Sequence, residues 1–227
     1  VLFCFAELRT ERPLMNLRVF RIGRVNAVIL SFLIIQVVYC GLLYLLPFYL
    51  TSILEADSMM SGLYLLIPPA VTAAVSVPFG RWSDRTGRRW FCTAACIVLL
   101  VISIMYALIT PAWGLIPLLF ALFLMGMGIG IASGPASGRI VEEMPESDRE
   151  MGSSLMITCV YFGGVVGTAL YAAVFTLLTE QNGVILSFAE LEKSLFLSGF
   201  HMTMAAGAVI CVLAVILAVI VKDPARR

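Results

Sequence analysis

Polar residues interrupt this chain at wide intervals, and between them lie six apolar stretches of 20 residues or more. A helix rises about 1.5 Å per residue, so roughly 20 apolar residues cross the hydrocarbon layer of a bilayer. The stretches fall near 25–54, 61–80, 90–110, 113–138, 152–178 and 199–221. They predict an all-α membrane protein whose six transmembrane helices form one bundle. Barrel strands are a poor alternative, because a membrane strand alternates polar and apolar positions over about 9–11 residues and these runs do neither. Residues 1–24 read as the end of a preceding helix followed by a linker, since the apolar stub Val1 to Ala6 is too short to span. Residues 222–227 read as a polar tail.

The positions of the charges orient the bundle. Lys and Arg concentrate in cytoplasmic loops, and alternate loops here divide the 15 basic residues as fourteen against Lys193 alone. Both ends of the six-helix unit are therefore expected in the cytoplasm. Composition agrees with a lipid solvent: 61% of residues are hydrophobic and 13% charged, against roughly 45–50% and about 25% in soluble domains. A net charge of +1 gives no whole-chain reason to expect nucleic acid.

Several chemistries lack their residues. The six cysteines lie inside apolar runs without CxxC spacing or histidine partners, so neither a metal site nor a disulfide frame is expected. No Asp, Glu, Lys or Arg falls within the hydrocarbon part of a span, and the chain has one histidine. An intramembrane enzyme would need paired aspartates, a serine–histidine pair or HExxH. The chain is therefore not expected to be an enzyme and carries no catalytic residue.

The most specific pattern lies between the second and third stretches, where Gly80, Asp84, Arg85, Gly87, Arg88 and Arg89 fall within ten residues. Gly80 and Gly87 permit a tight reversal, the arginines hold it inside, and Asp84 pairs with an arginine or caps a helix. This loop resembles the G-x-L-x-D-R-x-G-R-R/K loop of the major facilitator superfamily, with Trp82 where that family more often has leucine. The run Glu7, Leu8, Arg9, Pro13, Leu14, Leu17, Phe20, Arg21 and the Gly-rich fourth and fifth stretches are similar to the carboxy-terminal half of fourteen-span drug/proton antiporters of the EmrB/QacA type.

That resemblance implies two inverted three-helix repeats, a conformational-switch role for the loop, and a cavity opening alternately to either membrane face. It also implies a missing amino-terminal bundle as partner, a plasma or inner membrane location, and a small-molecule substrate. No cofactor is implied beyond a proton gradient, whose carrier group then belongs to the preceding half. Absence of basic residues in the spans disfavours polyanionic substrates and fits lipophilic, neutral or cationic ones.

Two sets of residues are candidates for the work itself. At 100° per residue Gln36, Tyr39, Leu43 and Pro47 share one face of the first stretch, with Tyr44 beside them, and a carboxamide and a phenol at membrane depth need partners. This face is expected to line the cavity. Gly126, Gly130, Gly134 and Gly138, and then Gly163 and Gly167, repeat at four-residue intervals and predict close helix crossings, either static or able to rock. Phe120, Phe123, Met125 and Met127 offer a pliable apolar wall. A non-transporting scaffold built on the glycine faces is the alternative reading.

Overall fold

The computed structural model describes residues 23–86, 89–145, 149–180 and 192–220. The expected linker and tail, and Gly87 and Arg88 of the loop, lie outside the described residues. Among the described residues there are seven α-helices: α1 (Gly23–Ser52), α2 (Ser58–Leu65), α3 (Ile67–Thr86), α4 (Arg89–Leu108), α5 (Ile116–Glu143), α6 (Arg149–Thr179) and α7 (Lys193–Ile220). A 3-10 turn, Pro111–Trp113, joins α4 to α5. Among the described residues five segments are long and apolar enough to cross a membrane: Val28–Ser52, Ser58–Ser83, Ile116–Gly138, Arg149–Thr179 and Lys193–Ile216. The sixth expected span is α4, helical over 20 residues, whose apolar part Thr93–Leu108 is shorter.

The boundaries differ from the hydrophobic pattern where local chemistry overrides it. The second stretch is two helices, because Pro68 and Pro69 have no N–H to offer the carbonyls of Tyr64 and Leu65. Leu66 bridges the break in an αR conformation, with Asp57 accepting from Met59 N–H at the start of α2. The same rod continues to Thr86, so Gly80 lies inside α3 rather than at a reversal. Trp113 belongs to the 3-10 turn, and α7 begins at Lys193, six residues ahead of the predicted start. Hydroxyls within the helices return to carbonyls four residues back: Ser103 to Leu99, Thr168 to Gly164, Thr179 to Phe175 and Thr203 to Gly199. That arrangement lets small polar groups sit in an apolar medium without an orphan donor.

Two glycine-mediated crossings set the closest approaches. In the first, α5 lies along α3. A Cβ on Gly126 would stand 2.5 Å from the Pro68 carbonyl oxygen, one on Gly130 3.4 Å from that of Thr72, and one on Gly134 3.1 Å from that of Ser76. The offset is 58 residues each time, so the two helices run parallel in fixed register. The Thr72 hydroxyl adds a hydrogen bond to the Gly126 carbonyl at 3.0 Å. In the second, α6 lies along α1. A Cβ on Gly163 would approach the Leu33 carbonyl oxygen at 3.2 Å, and one on Gly167 that of Val37 at 2.1 Å. Small residues let backbones meet where lipid supplies no hydrophobic drive between helices. The glycine spacing thus marks real crossings, one for each stripe; Gly138 lies one turn further along α5 and is half-exposed.

The remaining contacts close the bundle. α4 packs on α7 and α5, α7 packs on α1, and α1 touches α5, so α1 and α5 each contact five other helices at the centre of the bundle. Where α1 ends, Glu55 takes a left-handed φ of 52° and the Ala56 N–H closes onto the Leu50 carbonyl. Tyr49, Tyr106, Phe175, Phe196 and Phe200 form a buried aromatic cluster at this end, with Phe200 4.7 Å from Tyr49. His201 Nε2 meets the Ile109 carbonyl at 2.7 Å, and Lys193 Nζ donates to Glu55.

The hydrogen bond from Lys193, and then its charge, hold the Glu55 carboxyl below its ordinary 4.5. A lowered carboxylate contributes above its ordinary range and loses that contribution as pH falls through the lowered value. Both side chains are largely exposed, 63% and 74%, so the effect is small and screened by salt. Thermal unfolding of Lys193→Gln is expected slightly below the native protein at neutral pH and equal to it in strong acid. A gap unchanged down to strong acid contradicts the link.

Candidate functional site

The predicted face of α1 is partly open and partly closed. Tyr39, Leu43 and Pro47 are half-exposed, as are Cys40, Tyr44 and Phe48 beside them, on the side of α1 left open by α5, α6 and α7. Gln36 begins the stripe but turns in: it is 6% exposed and its Cβ lies where a Cβ on Gly163 would stand 2.7 Å away. Its Oε1 is buried with no hydrogen-bond partner. Pro47 has no N–H for the carbonyl of Leu43, which removes one helix donor on the same stripe. Tyr44 sits about 100° round the helix from Leu43 and pairs edge-on with Phe48 at 5.7 Å. Tyr39, Leu43, Tyr44 and Pro47 thus share the half-exposed side of α1, and Gln36 is drawn in against α6.

The loop residues end up on two helices. Gly80 faces Gly134, where its own added Cβ would meet the Gly134 Cα at 3.9 Å, an ordinary contact. Arg85 is exposed in the last turn of α3, while Asp84 and Arg89 lie on helical backbone whose side chains are outside the described residues. Trp82 packs edge-on against Phe91 of α4, with Phe79 completing the trio. An aromatic at the leucine position thus ties α3 to α4 through ring contacts. The apolar wall of α5 divides: Met125 is in the core, whereas Phe120 and Phe123 point outward.

Sequence reasoning missed the Tyr171 slot. A Cβ on Gly41 would stand 2.2 Å from the Tyr171 ring, and one on Gly207 2.0 Å from its hydroxyl, so the ring is threaded between α1 and α7 through two glycines. Single glycines inside apolar helices were the available signal, since such a glycine usually has a packing reason. A separate apolar cavity of about 290 Å³ lies between α4 and the start of α5, lined by Val101, Ile104, Tyr106, Leu108, Trp113 and Pro117 among others. It includes no residue of α1, and its lining is almost wholly apolar. Among the described residues no group of histidines, cysteines or carboxylates is placed to hold a metal.

Among the described residues the chain is a helical bundle with apolar spans and glycine crossings, the build of an integral membrane protein. The sequence pattern of the Major Facilitator Superfamily matches residues 5–168, and the chain belongs to that family. It is similar to a multidrug resistance protein B homolog of Mycobacterium tuberculosis, 32% identical over 186 residues, covering 78% of this chain and 33% of that protein. It is also similar to the riboflavin transporter RibZ of Clostridioides difficile, 26% identical over 75% of this chain and 36% of RibZ. The lincomycin resistance protein LmrB of Bacillus subtilis is 26% identical over 77% of this chain and 36% of LmrB. The chain spans about a third of the length of these relatives. Membership in a family of named transporters also means that the chain is not an enzyme.

Proposed function

We propose that the chain is the carboxy-terminal six-helix half of a fourteen-span secondary transporter that exports lipophilic or cationic small molecules in exchange for protons. The half-open stripe Tyr39, Leu43 and Pro47, with Tyr44 beside it and Gln36 buried at its start, carries this reading, because phenols at membrane depth are costly unless they find a partner or look into a cavity. In this reading a preceding bundle of the same protein faces the stripe and completes the cavity. Two of the curated relatives are named for resistance to drugs, which supports efflux as the direction.

The packing order supports inverted repeats. If α1, α2–α3 and α4 exchange with α5, α6 and α7, the α3–α5 pair maps onto α6–α1, the α4–α5 pair onto α7–α1, and α4–α7 onto itself; all these pairs are in contact. Alternating access then means rocking of one half against the other, with the loop around Gly80 to Arg89 switching at the cytoplasmic face. The distribution of basic residues supports a cytoplasmic start of α1 and end of α7 in a cell-membrane protein. Proton coupling draws on a titratable group in the other half, since no carboxylate lies within the hydrocarbon part of the spans of this one.

The test uses the full-length protein in cells stripped of their own pumps, loaded with a fluorescent lipophilic cation. Energised cells are expected to lose the dye, and an uncoupler to stop the loss. Leu43→Trp, which fills the stripe, is expected to slow efflux about tenfold, equivalent to about 1.4 kcal/mol, at unchanged protein level. Normal efflux in Leu43→Trp removes the stripe from the pathway. No energised movement of any compound favours the scaffold reading.

A further inference from the structure

We infer that the apolar cavity between α4 and the start of α5 is a binding site for one acyl tail of a membrane phospholipid. Side-chain size builds the site. Pro117 and Ala121, about one helical turn apart, put short side chains on the α5 face opposite α4, while Val101, Ile104 and Leu108 share one side of α4. The space left between them is about 290 Å³. Its floor is closed, because Ala121 and Tyr106 are wholly buried and Ile109 nearly so. Its mouth is open: Val101, Ile104, Leu108 and Trp113 are each between 44% and 62% exposed.

The medium at the mouth defines the occupant. These exposed apolar side chains belong to a membrane-embedded helix and its turn, so lipid rather than water reaches them. A cavity of about 150 Å³ with an aliphatic and aromatic lining stays dry and takes up benzene, and this one is about twice as large with a lining almost wholly apolar. An unbranched hydrocarbon tail restores the dispersion contacts that such a lining otherwise lacks. The length of α4 favours the same occupant. Its apolar part, Thr93–Leu108, rises about 24 Å against a hydrocarbon layer of about 30 Å, so the helix ends while lipid tails still run beside it. Trp113 stands exposed on the 3-10 turn at that end, and an indole joins an apolar body to one N–H donor, which suits the ester level of a bilayer. The distribution of basic residues makes this the outer leaflet. The inference requires only that the protein lies in a membrane and does not rest on its transporting anything.

The experiment reconstitutes the purified full-length protein in phosphatidylcholine vesicles in which a small fraction of the lipid carries a diazirine at the end of one acyl tail. After illumination, adducts are mapped by peptide mass spectrometry. Peptides covering 101–121 are expected to be labelled about fivefold more than those around Val209 and Leu213 of α7, equivalent to about 1 kcal/mol. Val209 and Leu213 are as exposed as the cavity mouth, at 62% and 55%, but line no part of it. Ile104→Trp, which closes the mouth, is expected to bring labelling of 101–121 down to the α7 level and to leave α7 labelling unchanged. Val101→Phe replaces Ile104→Trp if the latter does not fold. Equal labelling of the two regions in the native protein, or an excess that survives closure of the mouth, overturns the inference. Displacement of the excess label by the fluorescent lipophilic cation of the transport test assigns the cavity to that compound and also overturns it. Labelling is read without energising the membrane, so failure of transport and failure of lipid binding are separate results.

Discussion

Gly167→Ala is expected to be the most damaging single-methyl change in the described bundle. The new Cβ would stand 2.1 Å from the Val37 carbonyl oxygen, 2.9 Å from its carbon and 2.9 Å from its Cα. These are backbone atoms of α1, so no side-chain rotation relieves the clash, and α6 has to move off α1 along the whole crossing. Overpacking costs about 1–3 kcal/mol where side chains can adjust; here the cost lies at or above that range. Detergent-solubilised full-length Gly167→Ala is expected to unfold at a markedly lower temperature or to be absent from the monodisperse peak in size-exclusion chromatography. Gly62→Ala is the control, because nothing lies within 4 Å of its added Cβ, and alanine in a helix is favoured over glycine by about 0.5–1 kcal/mol. Gly80→Ala should also be tolerated, whereas Gly134→Ala, 3.1 Å from the Gly80 Cα and the Ser76 carbonyl oxygen, should not. A native-like Gly167→Ala would mean that the α1–α6 crossing is not built as described.

That contrast shows what was legible in the sequence. The apolar stretches were readable because lipid imposes one solvent on the whole span, and the glycine stripes because four-residue spacing keeps small residues on one helix face. Gly126, Gly130 and Gly134 accordingly meet α3, and Gly163 and Gly167 meet α1. Breaks set by backbone chemistry were harder. Pro68–Pro69 divides a continuous apolar run, and hydropathy does not register a missing N–H. Gly80 was misplaced for a related reason: as part of a basic, glycine-containing run it reads as a turn, yet the helix passes through it and its small size serves the contact with Gly134.

The candidate site was half legible. Helical periodicity puts Gln36, Tyr39, Leu43 and Pro47 on one face; the structure leaves Tyr39, Leu43 and Pro47 half-exposed and buries Gln36. Periodicity says nothing of where a neighbouring helix ends its coverage, and α6 crosses close enough at Gly163 to bury Gln36 while leaving Tyr39 half-open. Tyr44 is half-exposed beside Leu43 and Pro47, although one residue turns the chain by 100°.

The Tyr171 slot gives the second large effect and a sharper test, because its two walls are struck by different parts of one side chain. Gly41→Ala puts a methyl 2.2 Å from Cδ2, 2.4 Å from Cε2 and 2.6 Å from Cγ of the ring, whereas Gly207→Ala puts one 2.0 Å from the hydroxyl oxygen and 2.9 Å from Cζ. Tyr171→Phe removes the hydroxyl, which is buried and unpartnered, and an orphaned buried polar group costs about 1–3 kcal/mol. Tyr171→Phe alone is therefore expected to raise the unfolding temperature. In that background Gly207→Ala should lose much of its cost, giving a coupling of about 0.5–3 kcal/mol in a double-mutant cycle. Gly41→Ala should remain severe, since the ring it strikes is unchanged. Equal coupling at both glycines, or none at Gly207, would refute this geometry. The predicted asymmetry follows from one ring held edgewise between α1 and α7, with its hydroxyl toward α7.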